Sequence, residues 1–387
     1  MKAILFTNVG ADLYGADYVL LSLVRSLDAH EYRSVVVLPY DGPLVAELER
    51  AGAHVRVREL PVLRRRVFRV FGLLKFGIQF IEALFYLLSL ARKEKIDIIH
   101  TNTASIWPSS VAAWILRKPH VWQVMEIVEK PKVVAWAMGK VTGIFSTKVF
   151  CISNAVRDHF LKFNPGRGAK FETLYHGVDL VEYDPSRYDG SAMREKLGVP
   201  QAARVVLYAG RFSAWKGQDV FAKAIQILHK SGDDVGLDLH FVILGSCFPG
   251  QESFEHELDA YLDTIGADGR IHRAGFQRNL PQWMAACDIF VLPSKRPEPN
   301  ATALIGAMAM GLACVGTNKG GTVETILSEE TGLLIPPDDP LALAAALRRI
   351  ASDPRRMAEM GREGKKRAAS VFSLSNYCRR VREAYEQ

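Results

Sequence analysis

Short runs of aliphatic and β-branched residues recur along this chain, and helical patterns fill most of the intervals between them. In the first half the runs lie at Lys2–Phe6, Ser34–Leu38, His54–Val57, Ile96–His100, His120–Val124 and Val149–Ile152, with a helix over Asp17–Leu27. Strands separated by helices return by crossovers, so they pair in parallel and bury both sheet faces. A second series follows the polar stretch 184–190, with strands at Val205–Ala209, His240–Leu244, Ile271–Ala274, Ile289–Leu292 and Cys314–Gly316. Helices separate these too, for example Asp219–His229 and Pro281–Cys287, and three more close the chain at Leu341–Ser352, Arg355–Ser370 and Ser373–Glu386. The pattern predicts an α/β protein of two Rossmann-like, doubly wound domains, 1–186 and 187–370, with the helix in 371–387 packing back towards the first. At 387 residues, each domain has enough chain to bury its own core.

With 49% hydrophobic and 24% charged residues, disordered, collagenous and disulfide-scaffold classes are excluded. Cys151, Cys247, Cys287, Cys314 and Cys378 are odd in number and widely spaced, and lack metal-ligand spacing, which points to a reducing compartment without structural zinc. Asn8, Asp12 and Asp17 break the first apolar run too soon for a secretory signal, so a cytoplasmic location is expected.

The formal charge of +7 is unevenly distributed. Residues 1–180 hold 24 Lys+Arg against 16 Asp+Glu, whereas residues 181–387 hold 25 against 26. Arg64, Arg65, Arg66, Arg69, Lys75, Arg92, Lys93 and Lys95 face only Glu82 and Glu94 in the segment 64–95. Within it Val67–Ala91 is strongly apolar, but Lys75, Gln79, Glu82 and Ser89 form one narrow polar stripe on a helix, with Tyr86 beside it. Lys75 and Glu82 near its middle argue against a membrane span. Two readings stay open: a docked helix with a thin solvent face, or a peripheral membrane helix. The second places Phe68, Phe71, Leu74, Ile78 and Phe85 in the interface and the arginines on anionic headgroups. Nucleic acid is not an expected partner, because no basic motif with interleaved stacking aromatics is placed to track a strand.

Two junctions carry chemistry. Gly210-Arg211 follows the strand Val205–Ala209, and Lys216-Gly217 opens the next helix. Free backbone N–H groups and the positive end of a helix dipole, joined by two cations, suit a diphosphate. The bland alternative is two solvated surface cations. In Leu292–Thr302 a strand ends, Glu298 sits in a polar loop, and a helix begins near Ala301. Glu298 therefore lies at the carboxyl edge of a parallel sheet, where such folds bind ligands; its bland reading is a first-turn dipole partner with Asn300 as N-cap. Gly320-Gly321-Thr322 and Glu324 form another loop on that edge.

Together these pieces resemble the family-4 retaining glycosyltransferases of the GT-B fold. The resemblance runs through Tyr14-Gly15-Ala16-Asp17, Ile98-Ile99-His100, Cys151-Ile152-Ser153-Asn154, His176-Gly177-Val178-Asp179, Gly210-Arg211 with Lys216-Gly217, Ala286–Ser294, the Glu298 segment, Gly320-Gly321 and Thr331–Leu334. It implies two facing domains with a cleft for a nucleotide diphosphate sugar, and transfer of the sugar with retained anomeric configuration. By this similarity Arg211 and Lys216 neutralise the leaving diphosphate, while Glu298 holds the hexose hydroxyls or the developing oxocarbenium ion. Gly15, Gly210, Asn300, Ala301, Thr302 and Phe276 would contact the nucleotide sugar, and Tyr14, Asp17, His100, Gln123 and Glu126 are acceptor candidates. No Asp-x-Asp triplet occurs, which fits a metal-independent enzyme with no cofactor besides its donor substrate.

Three positions depart from the family pattern. The second carboxylate of its Glu-x₇-Glu pair, which usually grips the ribose, would fall at Gly306. No His follows the strand around Trp122, and His176 replaces the usual Asn. The expected function is a hexosyltransferase acting on a lipid-linked or polysaccharide acceptor at the inner face of the cytoplasmic membrane. The alternative is a catalytically weakened nucleotide-sugar-binding subunit of a glycan-assembly complex.

Overall fold

The computed structural model describes residues 1–13, 15–63, 67, 71–248, 250–267 and 269–386. The chain divides into two compact units, Met1–His176 with Ser375–Gln387, and Gly177–Leu374. The expected boundary after 186 thus falls inside the second unit, and the final helix Leu374–Glu386 belongs almost entirely to the first.

The first unit holds a parallel sheet of β1 (Lys2–Thr7), β2 (Tyr32–Leu38), β3 (His54–Val57), β4 (Ile98–Asn102), β5 (His120–Val124), β6 (Lys148–Cys151) and β7 (Phe171–Thr173). Their order is β3-β2-β1-β4-β5-β6-β7. The second holds β8 (Arg204–Ala209), β9 (Leu239–Leu244), β10 (Ile271–Gly275), β11 (Ile289–Leu292), β12 (Ala313–Thr317) and β13 (Gly332–Ile335), in the order β10-β9-β8-β11-β12-β13. Both sheets therefore reverse direction at one point, between β1 and β4 and between β8 and β11. In open parallel sheets the crevice at that reversal is where ligands bind.

The central strands are continuous apolar runs because helices cover both faces. Leu5, Val35, Val37 and Ile99 pack with Ala83, Leu87, Ala112 and Ala113 in the first unit. Val206, Phe241 and Val291 pack with Phe221, Leu343 and Leu347 in the second. The short strands β7 and β13 lie at sheet edges, outside the runs marked in the sequence.

The helix Gly72–Lys93 departs from the expected thin polar solvent face. Its buried residues, Ala83, Leu87, Leu88, Leu90 and Ala91, all lie in its second half. The first half exposes Leu73, Leu74, Ile78 and Ile81 beside Phe71, which is 80% exposed, and Phe85 in the second half is exposed as well. Gln79, expected on the polar stripe, turns to donate to Glu59 at 3.2 Å, and Arg58 covers the half-buried Tyr86 ring. By length and composition the helix could cross a membrane, but its second half serves as core of the sheet. Arg64, Arg65, Arg66, Phe68 and Arg69 lie outside the described residues.

Candidate active site

At the reversal of the second sheet, β8 runs into the loop Gly210–Gly217 and the helix Gln218–Ser231. Gly210 N–H donates to Leu244 O at 3.1 Å, and Phe212 N–H donates to Ser246 O at 3.0 Å, which fixes the loop against the end of β9. Gly217 closes it at φ +76°, where a Cβ would stand 1.9 Å from Pro293 O. Only glycine has both the conformation and the space there. The loop can thus lie directly on the end of β11, where Lys295 N–H donates to Trp215 O at 2.8 Å.

That close approach brings the two junctions together. Glu298 is 3% exposed and its backbone is held by a parallel bridge to Gly320, with Gly321 N–H donating to Glu298 O at 2.6 Å. Its Oε1 accepts from Lys216 Nζ at 2.8 Å and from Ser294 Oγ at 2.5 Å. A carboxylate this deep costs several kcal/mol unless paired and hydrogen-bonded, and both conditions are met. Lys216 keeps about a fifth of its side chain exposed, with Nζ 4.4 Å from the Trp215 ring centroid, so it faces outward as well as towards Glu298. On the same loop the Arg211 guanidinium stacks 3.5 Å from the Phe248 ring centroid. Tyr208 lies beneath, fully buried, with its phenol pKa pushed up by burial and then by the Glu298 charge.

The helix Thr302–Ala309 begins just beyond Glu298. Its N-cap is Ala301, so Asn300 is not the cap residue, and no side chain caps the helix. Its first-turn N–H groups and dipole are therefore available to an anion. Phe276 lies exposed after β10. One turn into the Thr302–Ala309 helix, a Cβ on the buried Gly306 would stand 2.3 Å from Tyr183 Cε1. The Tyr183 ring thus occupies the direction in which a side chain at 306 would leave the helix.

In the first unit, Gly15 opens the helix Gly15–Ser26, and Tyr14 lies outside the described residues. Asp17 is buried and accepts from Asn8 Nδ2 at 2.6 Å. His100 is fully buried, with Nδ1 2.5 Å from the Tyr385 hydroxyl, and burial lowers its pKa to about 3. Gln123 is also enclosed, its Nε2 3.0 Å from His176 Nε2 and its Oε1 accepting from Tyr377 at 3.2 Å. Burial pushes the Glu126 pKa up, while Ala104 N–H and Met125 N–H, each donating at 3.0 Å, oppose the shift. His100 and Gln123 therefore tie strands to the final helix, and neither has surface to offer a ligand. Among the described residues no three His, Cys, Asp or Glu side chains gather as metal ligands would.

Sequence reasoning missed Ser294 and Tyr183. Ser294 was legible as a polar residue ending β11, four positions before Glu298, whereas Tyr183 meets Gly306 only through the fold.

Comparison with known proteins agrees with this architecture. The family signature for glycosyltransferase family 4 matches residues 14–182, and that for glycosyl transferases group 1 matches residues 189–367. The lipopolysaccharide core biosynthesis mannosyltransferase LpsB of Rhizobium meliloti is 30% identical over 215 residues, spanning 55% of this chain and 60% of that protein. Spore coat protein SA of Bacillus subtilis is 24% identical over 309 residues, 76% of this chain and 80% of its own. The crystal structure of Anabaena Alr3699/HepE, solved with UDP and glucose, superposes over the full length of both chains with a TM-score of 0.83 at 23% identity. The glycosyltransferase WaaG has a TM-score of 0.70 at 15% identity, over 96% of this chain and 97% of its own. With one signature on each half in the family's order and the same fold throughout, the chain belongs to the family-4 glycosyltransferases of the GT-B fold.

Proposed function

We propose that this glycosyltransferase is a retaining hexosyltransferase that moves a hexosyl group from a nucleotide diphosphate sugar to a lipid-linked or polysaccharide acceptor at the inner face of the cytoplasmic membrane. The observation that carries the donor reading is the Lys216–Glu298 pair, a buried carboxylate under a part-exposed ammonium where the second sheet reverses, beside an uncapped helix start. As the glycosidic bond breaks, negative charge grows on the leaving diphosphate and positive charge on the anomeric carbon. Lys216, Arg211 and the amides at Thr302 answer the first charge; the Glu298 carboxylate answers the second, or holds the sugar hydroxyls. Cationic side chains and amides supply this neutralisation without a divalent cation. The mannosyl transfer in the name of LpsB and the UDP and glucose held by HepE support a nucleotide-sugar donor and a glycan product. The exposed apolar half of the helix Gly72–Lys93 supports work at a membrane.

The test is a thermal-shift panel of uridine, guanosine and adenosine diphosphate hexoses, followed by product analysis with the hexose that binds, with and without a chelator. A donor present at 100 times its dissociation constant adds about 2.7 kcal/mol to the native state. Stabilisation by one member and chelator-resistant release of its nucleoside diphosphate are expected. A flat response across the panel rejects the reading. Tyr183 in the space beside Gly306 favours a second reading, a nucleotide-sugar binder with weakened turnover; binding without sugar transfer is its signature.

A further inference from the structure

The helices Gly72–Lys93, Pro108–Leu116 and Lys132–Phe145 follow β3, β4 and β5, and each connection moves the same way across the sheet. Right-handed crossovers in one direction place all three on one sheet face. The layer is continuous: Phe76 meets Trp107 edge-on with ring centroids 6.2 Å apart, and Trp114 meets Phe145 at 5.8 Å. Its inner side supplies Leu87, Ala113 and Met138 to the core, so an ordinary amphipathic layer would be polar outside.

Here it is not. Trp114 and Trp136 are 63% and 54% exposed, with Ile115, Val133 and Ile144 exposed beside them. Val133, Trp136, Lys140 and Ile144 recur three and four positions apart, one stripe along the third helix. Between the ends of the second and third helices lies a cleft of about 580 Å³, walled by Trp114, Ile115 and Ile144 and rimmed by Arg117 and Lys118. Among the described residues Lys118 has only a distant ion pair, with Asp97 at 3.9 Å. Exposed cations on the layer, Lys75, Arg92, Lys93, Arg117 and Lys132, outnumber the exposed acids Glu82 and Glu129. An apolar stripe of this extent marks an interaction surface.

We infer that the three helices form one membrane-seating face, in which Trp114 and Trp136 enter the interface and the Trp114 cleft takes the phosphate-bearing headgroup of an anionic phospholipid. The inference rests on the membrane part of the proposed function and extends it beyond residue 95. Indole rings suit the headgroup boundary, apolar on one side and hydrogen-bonding on the other. The surrounding cations select an anionic surface. They also disfavour a second copy of the chain, since a two-fold pairing of one patch sets its like charges against each other.

The experiment is flotation of the full chain with vesicles of phosphatidylcholine alone or of equimolar phosphatidylcholine and phosphatidylglycerol. The wild type is compared with Trp114→Ser/Trp136→Ser and Arg117→Gln/Lys118→Gln. Thermal midpoint and far-ultraviolet circular dichroism report folding; should Trp114→Ser fail there, Val133→Ser/Trp136→Ser replaces the first pair. Expected is a loss of about tenfold in partitioning for the tryptophan pair on both vesicles, and a loss for the cation pair on the anionic vesicles only. Partitioning equal to wild type overturns this inference and leaves the membrane reading of the helix Gly72–Lys93 standing. Failure of the wild type to float overturns both. A concentration-dependent dimer in sedimentation that the tryptophan pair abolishes would assign the face to self-association instead.

Discussion

Glu298 and Lys216 come from loops that end adjacent strands, and the buried carboxylate draws its charge partner from the part-exposed ammonium. Glu298 gives up nearly all its hydration and recovers it through two short bonds to one oxygen, from Lys216 and Ser294. Lys216 retains exposure, so one ammonium can hold the carboxylate and still face an entering diphosphate. Lys216→Ala should lower turnover at least tenfold, about 1.4 kcal/mol of barrier, while the protein stays folded, because solvent reaches the vacated space. Glu298→Gln keeps a carbonyl oxygen for Ser294 but no charge for Lys216, and should lose turnover comparably. Because the pair acts as a unit, the double variant should be little worse than the poorer single. Wild-type turnover in Lys216→Ala rejects its assignment; multiplicative losses in the double variant reject the unit.

At the scale of elements, the helix Thr302–Ala309 owes its fit to Gly306. Alanine there gains about 1 kcal/mol of helix propensity. It also drives a methyl into a ring whose nearest carbon would be 2.3 Å away, and overpacking of that kind costs typically 1–3 kcal/mol. Gly306→Ala should therefore lower the unfolding midpoint, and Tyr183→Ala in the same chain should reverse most of that loss by removing the obstacle. Additive effects in the four-member cycle would show that the ring and the helix are not coupled. This contact also marks where reading the sequence stops. Strand-ending loops with Arg211, Lys216 and Glu298 are visible in the chain because apolar runs announce each edge, and β3, β5 and β11 fall where the runs place them. Edge strands such as β7 and β13 carry too few residues to make a pattern. Tyr183 has no local signal, since its partner is distant in the chain. The helix Gly72–Lys93 misleads for a different reason: periodicity separates apolar from polar faces, but it cannot say which apolar residues find a neighbour.

Across the whole molecule, the two units carry different acid sensitivities. His100, His120 and His176, all in the first unit, are fully buried, and burial lowers each pKa to about 3; the charge of His100 adds to the effect on His120. In the unfolded chain each would titrate near 6.5. Between those values the unfolded state binds the proton and the folded state does not. Their contribution is therefore complete above about pH 6.5 and is lost as pH falls towards 3. By pH 5 the loss is roughly 2 kcal/mol for each histidine. Glu126 works in the opposite sense, because its pKa is raised by burial and its charged form is the costly one in the fold. Carboxylates such as Glu94, held low by its hydrogen bond from Arg33, lose their contribution only below about pH 4.5 and do not disturb the window. Three histidines against one carboxyl leave a net loss. In the second unit burial also lowers His240 and His272, of which His272 is only half-buried. Four of the six tryptophans, 107, 114, 122 and 136, lie in the first unit, so intrinsic fluorescence chiefly reports its unfolding. Urea titrations should show the fluorescence midpoint fall by several kcal/mol equivalents between pH 7 and pH 5, ahead of any loss in the second unit. An unchanged midpoint would mean that these histidines keep their ordinary pKa in the native protein, as solvated imidazoles do; a rise would mean that they are protonated in the fold.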